Sequence, residues 1–155
     1  MSSAEDVVPL INSLMESQRF AALATADQEQ PYLFLMAFAS TGDLTKIVLV
    51  TERDTLKYTH LKSNRRVALL IDSRENRGED TQEAVAITII GEAGGIGEHE
   101  VEDLRALYLA KHPYLAEFVK SSSCAIVQVR VRSYQVVRKF QEVVVWSPDP
   151  QWQPQ

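Results

Sequence analysis

The apolar positions of this chain follow two rhythms. Val7, Ile11, Leu14 and Met15 recur every three or four residues, the period of an amphipathic helix. Pro9 is tolerated only in a first turn, so the spacing predicts a helix over 7–17 capped by Asp6. A start at Ser2 or Ser3 would place Pro9 deeper and kink it. From residue 19 the rhythm shortens. RFAALATA over 19–26 reads as a strand, 27–30 as a polar turn, and Pro31 opens a strand over 32–39. That strand is apolar on both alternating sets, Tyr32, Phe34, Met36, Phe38 and Leu33, Leu35, Ala37, Ala39. A strand covered on one face only would alternate with polar residues, so both faces need apolar neighbours.

The stretch 47–74, IVLVTERDTLKYTHLKSNRRVALLIDSR, reads as strand, short helix, strand. Tyr58 and Leu61 give a brief helical period, and Asp54 or Thr55 can cap it. A polar loop over 72–82 follows, then a largely apolar strand over 83–91. Val101, Leu104, Leu107 and Tyr108 predict a helix over 99–111, stopped by His112 and Pro113, with a last short turn over 114–119. Residues 125–146 read as an antiparallel ribbon whose second arm runs from Tyr134 to Trp146. In its first arm, Val127, Val129 and Val131 alternate with Gln128, Arg130 and Arg132. The tail over 147–155 carries three prolines and three glutamines and reads as irregular. About six or seven mostly adjacent strands and three short helices point to an antiparallel barrel over 1–146, closed to avoid bare edges.

Composition narrows the function. Formal charge is −5, which argues against duplex DNA or an anionic membrane as partner. No segment reaches the ~20 apolar residues of a membrane span. Cys124 is the single cysteine, so no internal disulfide forms, which suits a reducing, cytosolic setting. It precedes the apolar run AIVQV and reads as a small buried hydrophobe. His60, His99 and His112 lie on or beside helices and are expected to face solvent. HEVED at 99–103 lacks the second His of the zinc-protease pattern, so no metal is expected. Gly91, Gly94, Gly95 and Gly97 fit neither a phosphate loop nor a dinucleotide fingerprint. With no nucleophile and base pair in view, redox or group-transfer chemistry here would need a cofactor.

One feature offers a place for a cofactor. Thr51, Arg53, Thr55 and Lys57 bracket the start of the helix in 47–74. Free N–H groups, hydroxyls and cations together make an anion site. Arg53 paired with Glu52 or Asp54, and Lys57 simply solvated, is the equally plain alternative, and Lys62, Arg65 and Arg66 read as a solvated face.

The run RFAALATA, PYLFLMAFA, TERDTLKY with VALLID, AVAITIIGEA and YQVVRKFQEVVVW resembles the pyridoxamine 5′-phosphate oxidase-like family of FMN-binding split barrels. The resemblance spans most of 19–146. It implies that Thr51, Arg53, Thr55 and Lys57 hold the FMN phosphate. It puts Leu35, Met36 and Ala37 against the flavin ring, and implies a homodimer with FMN at the interface. The Arg and Lys of the true oxidases are absent from 32–38, as are their later glutamine and C-terminal Arg/His segment. Asp72, Ser73 and Arg74 are candidates to replace those polar contacts, with Arg74 pairing to Glu75 or Asp80 as the alternative. The expectation is therefore an FMN-dependent oxidoreductase acting on an unidentified small molecule. A flavin carrier or redox sensor, or a barrel for haem or a deazaflavin, are the alternatives.

Overall fold

The computed structural model describes residues 4–153; the Ser2 and Ser3 start and the last two residues of the tail lie outside them. Strands β1 (Phe20–Asp27), β2 (Gln30–Ala37), β3 (Ala39–Ser40), β4 (Lys46–Glu52), β5 (Arg66–Asp72), β6 (Ala86–Gly94), β7 (Cys124–Arg138) and β8 (Glu142–Trp146) form one sheet. Its order is β2-β1-β5-β6-β7-β4-β3, with β8 added to β7. Every ladder is antiparallel. Helices α1 (Val8–Ser17), α2 (Leu56–Ser63), α3 (Asp80–Glu83), α4 (Val101–Lys111) and α5 (Ala116–Lys120) flank it.

The two margins of the sheet are consecutive in the chain. β2 ends at Ala37, Phe38 is fully buried, and β3 begins at Ala39. One segment therefore leaves one margin and enters the other, so the sheet must curl into a barrel split at Phe38. Antiparallel pairing of strands that follow one another in sequence would set 32–38 beside Ile47–Val50, and the structure corrects that expectation. β2 pairs with β1 along its whole length, from Phe20↔Ala37 to Asp27↔Gln30. Only Ala39 and Ser40 reach β4. A two-residue hairpin loop, with Gln28 at φ 57°, makes the local pairing the cheaper one.

Inside the barrel, Leu23, Leu49, Leu69, Ile87, Ile89 and Tyr134 meet Ile11 and Leu14 of α1, which closes one end. Here Val7, not Asp6, occupies the position before α1, with no side-chain cap; a 3₁₀ turn over Ala4–Val7 leads into the helix instead. On the outside, Leu104, Tyr108 and Val119 of α4 and α5 cover Val48 and Val50 of β4. Each such burial is worth about 1.5–3 kcal/mol.

The ribbon differs from its expected shape. β7 runs unbroken through Tyr134 to Arg138, and the reversal comes at Lys139, Phe140 and Gln141, all at positive φ. No glycine marks that turn, which is why the sequence hides it. Solvent exposure of the histidines holds for His99 alone. His60 and His112 are 2% and 7% exposed. Leu61 and Tyr108 carry their helices into the core, and each histidine lies on the same flank. The Nε2 atom of His112 lies 2.7 Å from the Phe38 carbonyl, which can only accept, so Nε2 donates that bond.

Burial pushes the His112 pKa below its ordinary value. The unfolded chain then takes up a proton before the folded one. His112 therefore costs nothing above the ordinary histidine pKa of about 6.5, and stability falls as pH drops through that value. Urea unfolding at pH 7.5 and pH 5.5 checks this. The wild type loses more stability on acidification than His112→Gln, which keeps an N–H donor but no titration; equal losses count against it.

Among the described residues, no helix lies over the outer face of β2, β1, β5, β6, β7 and β8, although Trp152 and Gln153 of the tail lie beside Ile90, Ser133, Gln135 and Val145 at its far end. Register puts Leu35, Ala22, Leu70, Thr88, Gln135 and Val145 on one rung and Leu33, Ala24, Ala68, Ile90 and Ser133 on the next. Leu33 and Leu35 are 73% and 74% exposed, Phe20 57% and Val143 59%. The strands that read as apolar on both faces are those of this wall.

Candidate functional site

The strand-helix-strand unit of 46–72 forms as its sequence predicts, and its turn is held by hydroxyls. Of the two cap candidates, Thr55 takes the position. Its Oγ1 accepts from the Tyr58 N–H (3.4 Å) and donates to the Glu52 carbonyl (2.7 Å). With that proton spent, the 3.1 Å contact between Thr51 and Thr55 has Thr51 as donor. Both hydroxyls thus brace the turn. The N–H groups of Leu56 and Lys57, which have no acceptor inside a helix, are left for an outside acceptor.

The two cations at this turn reach different elements. Lys57 Nζ lies 5.7 Å from the centre of the Phe34 ring on β2. Arg53 turns toward β7, where its guanidinium donates to the Ser122 carbonyl (2.7 Å) and its backbone N–H to Ser123 (2.9 Å). The alternative pairing of Arg53 with Glu52 or Asp54 does not form. Lys57 therefore faces the edge strand, and Arg53 faces a cleft beneath α4 and α5.

Around Lys57 the structure gathers residues the sequence reading passed over. Tyr32 and Phe34 stack with centroids 6.4 Å apart, and His60 lies against both. His60 Nδ1 is 2.9 Å from Thr25 Oγ1. Its Nε2 is buried with no hydrogen-bond partner among the described residues. The signal was available: His60 stands one helical turn after Lys57, on the same flank.

The other expected site residues divide by face. Met36 is 5% exposed and points into the barrel. Leu35 and Ala37 point outward, within about 10 Å of Phe34 at the rise of a strand. Asp72 and Arg74 pair with each other, Arg74 Nε to Asp72 Oδ2 at 3.2 Å, rather than with Glu75 or Asp80. Asp72 shares the outer face with Leu70, its neighbour at strand spacing, so this pair lies off the start of α2 and at the end of the apolar wall. Asp80 instead accepts from the backbone N–H groups of Glu75 and Arg77, which holds its carboxyl below the usual range and folds the 72–82 loop into α3.

Cys124 is buried behind Arg53. Burial, followed by the nearby Glu52, pushes its thiol up from the ordinary value, so it packs as a small hydrophobe. Among the described residues, no three His, Cys, Asp or Glu side chains group in a way that could hold a metal ion, and no helix is long and apolar enough to cross a membrane.

The architecture is that of an antiparallel split barrel with flanking helices, in which the start of α2 lies beside an edge strand. Within that architecture the family is specific: the pyridoxamine 5′-phosphate oxidase model matches residues 8–138, and the chain belongs to this family. Comparison with curated proteins finds no match. Among solved structures, the chain is similar to a haem-binding protein from Mycobacterium smegmatis, at 17% identity and TM-score 0.80, over 96% of this chain and 59% of that one. It is similar to an FAD-binding protein from Mesorhizobium loti at 10% identity and TM-score 0.66, over 83% and 92% of the two chains. General Stress Protein 26 from Bacillus anthracis matches at 16% identity and TM-score 0.63, over 88% and 95%. The chain thus spans about three-fifths of the haem-binding protein's length. At these identities the likeness is one of fold.

Proposed function

We propose that this chain binds FMN as a cytoplasmic homodimer and serves as a flavin-dependent oxidoreductase on a small molecule. The observation that carries the reading is the start of α2. Two threonines brace it, its first N–H groups have no acceptor within the helix, and Lys57 stands between it and the aromatic pair on β2. A phosphate fits the N–H groups and the ammonium. A flat ring fits Tyr32 and Phe34, where the free His60 Nε2 supplies a polar partner. Thr51 and Thr55 act by holding the turn, Lys57 by charge, and Arg53 as a second cation once released from Ser122. Leu35 and Ala37, on the opposite face of the same edge strand, belong to the outer wall that a second copy covers; Met36 supports the strand from within. Asp72 and Arg74 lie where a partner's site would meet the wall. The flavin, when bound, supplies hydride transfer; this chain positions it and excludes water.

Purified protein, denatured and scanned, is expected to release flavin near one per chain. A colourless protein that also ignores added FMN overturns the reading, and a Soret band moves it to haem, read through His60. Anaerobic mixing with reduced nicotinamides separates enzyme from carrier: bleaching is expected, and a flavin no donor reduces disfavours the oxidoreductase. For the site, Lys57→Ala is expected to weaken FMN binding by roughly 1.5–3 kcal/mol, the worth of a hydrogen bond to a charged group. Arg53→Ala costs less, because engaging FMN forfeits its bond to Ser122. Fluorescence titration measures both, and an unchanged affinity in Lys57→Ala moves the phosphate elsewhere.

A further inference from the structure

The cleft on the far flank of α2 carries a second site. A cavity of about 730 Å³ opens between that helix, α4, α5 and the start of β7. Three cations line it, each from a different part of the chain: Arg53, Arg105 and Lys120. A single solvated face does not produce that; three separate elements deliver charge to one hollow in a chain of net charge −5. The lining also carries apolar surface from Tyr58, Val119 and Ile126. Through Tyr58 and Ile126 it continues into a neighbouring cavity of about 260 Å³ that adds Lys62 and Arg65.

The internal partners leave charge to spare. Arg105 pairs through Nη1 with the exposed Glu102, and Arg53 through Nη1 with the Ser122 carbonyl, which is neutral. Arg105 Nε is closed off from solvent and has no hydrogen-bond partner among the described residues. The Arg105 side chain is about one-third exposed, so a ligand in the cleft meets the guanidinium through its terminal nitrogens and not through Nε. Ser121 and Ser122 stand at the same wall. Lys57 takes no part, since it lies on the other flank over Phe34.

We propose that this cleft binds a small amphiphilic anion, an aromatic or aliphatic body against Tyr58 and Val119 with a phosphate head on Arg105 and Lys120. The proposal stands independently of flavin binding. Phenyl phosphate is the probe, titrated by calorimetry into the full chain with and without added FMN. It is expected to bind at one site per chain, with phenol and inorganic phosphate each at least tenfold weaker. Arg105→Gln with Lys120→Gln is expected to weaken it at least tenfold while leaving FMN uptake unchanged. Val101→Trp, which fills the cleft without altering charge, removes binding as well. Lys57→Ala leaves the probe's affinity unchanged. Three results overturn the proposal: no saturable binding of phenyl phosphate, the same affinity in the double variant, or loss of binding in Lys57→Ala, which would put the probe at the start of α2. A protein that ignores FMN yet binds phenyl phosphate in this pattern sinks the flavin reading and keeps this one.

Discussion

Gly91→Ala is expected to destabilise the protein by about 3 kcal/mol, the upper range for overpacking. β6 changes register against β7 between Ile90 and Gly91, and at that step the two backbones close up. A Cβ on Gly91 would lie 2.5 Å from the Arg130 carbonyl oxygen and 2.7 Å from Val129 Cγ1. The first of these is backbone in the middle of a ladder. It has no rotamer to change, so β6 or β7 must shift. A chain of this size loses roughly 2–4 °C of Tm per kcal/mol, so the melting temperature should fall by roughly 6–12 °C. Gly94→Ala is the control, because a Cβ there meets nothing within 4 Å. Calorimetry on both variants decides the matter, and equal melting temperatures mean the bulge absorbs a methyl group.

The second large effect concerns the bare wall. Leu33→Asp with Leu35→Asp is expected to convert the proposed homodimer to monomer and to abolish stable flavin binding with it. These leucines stand two apart on the outer face of an edge strand, each about three-quarters exposed. Exposed apolar surface of this extent on an open edge invites association. Two carboxylates at its margin would be buried unpaired against the partner, at a cost no interface of this kind tolerates. Light scattering after size exclusion gives the mass, and circular dichroism confirms the barrel. A wild type that elutes as a monomer, or a variant that stays dimeric, would rule this surface out as the contact.

How much of this was legible depended on whether the deciding contacts were local. The 46–72 unit was legible because its signals are adjacent: β-branched runs, Thr55 at the cap, cations beside it. The doubly apolar strand reads as needing two coverings; the barrel interior supplies one, over Met36, and Leu33 and Leu35 on the other face stand exposed. Its neighbour was not legible, because the choice between β1 and β4 turned on the hairpin at Gln28, where no glycine advertises a positive φ. The same holds for the reversal at 139–141. The buried state of His60 and His112 was hidden because polar residues satisfied by one core partner, Thr25 or the Phe38 carbonyl, look like solvated ones in sequence. Arg53 and Lys57 read as one cluster from their spacing; only the fold shows that they part to opposite flanks of α2.

The antiparallel ladders also sort by reach. β1 with β2, β3 with β4, β5 with β6, and β7 with β8 join neighbours along the chain. The ladder of β4 with β7 instead spans about seventy residues, from Thr51 to Ala125, and carries the largest loop-closure cost in the sheet. It is thus the natural late step in folding. Its last rungs place Ser122 and Ser123 under Arg53. The cleft lined by Arg53 and the start of β7 is thus a product of long-range pairing, and it is complete only once this ladder has formed.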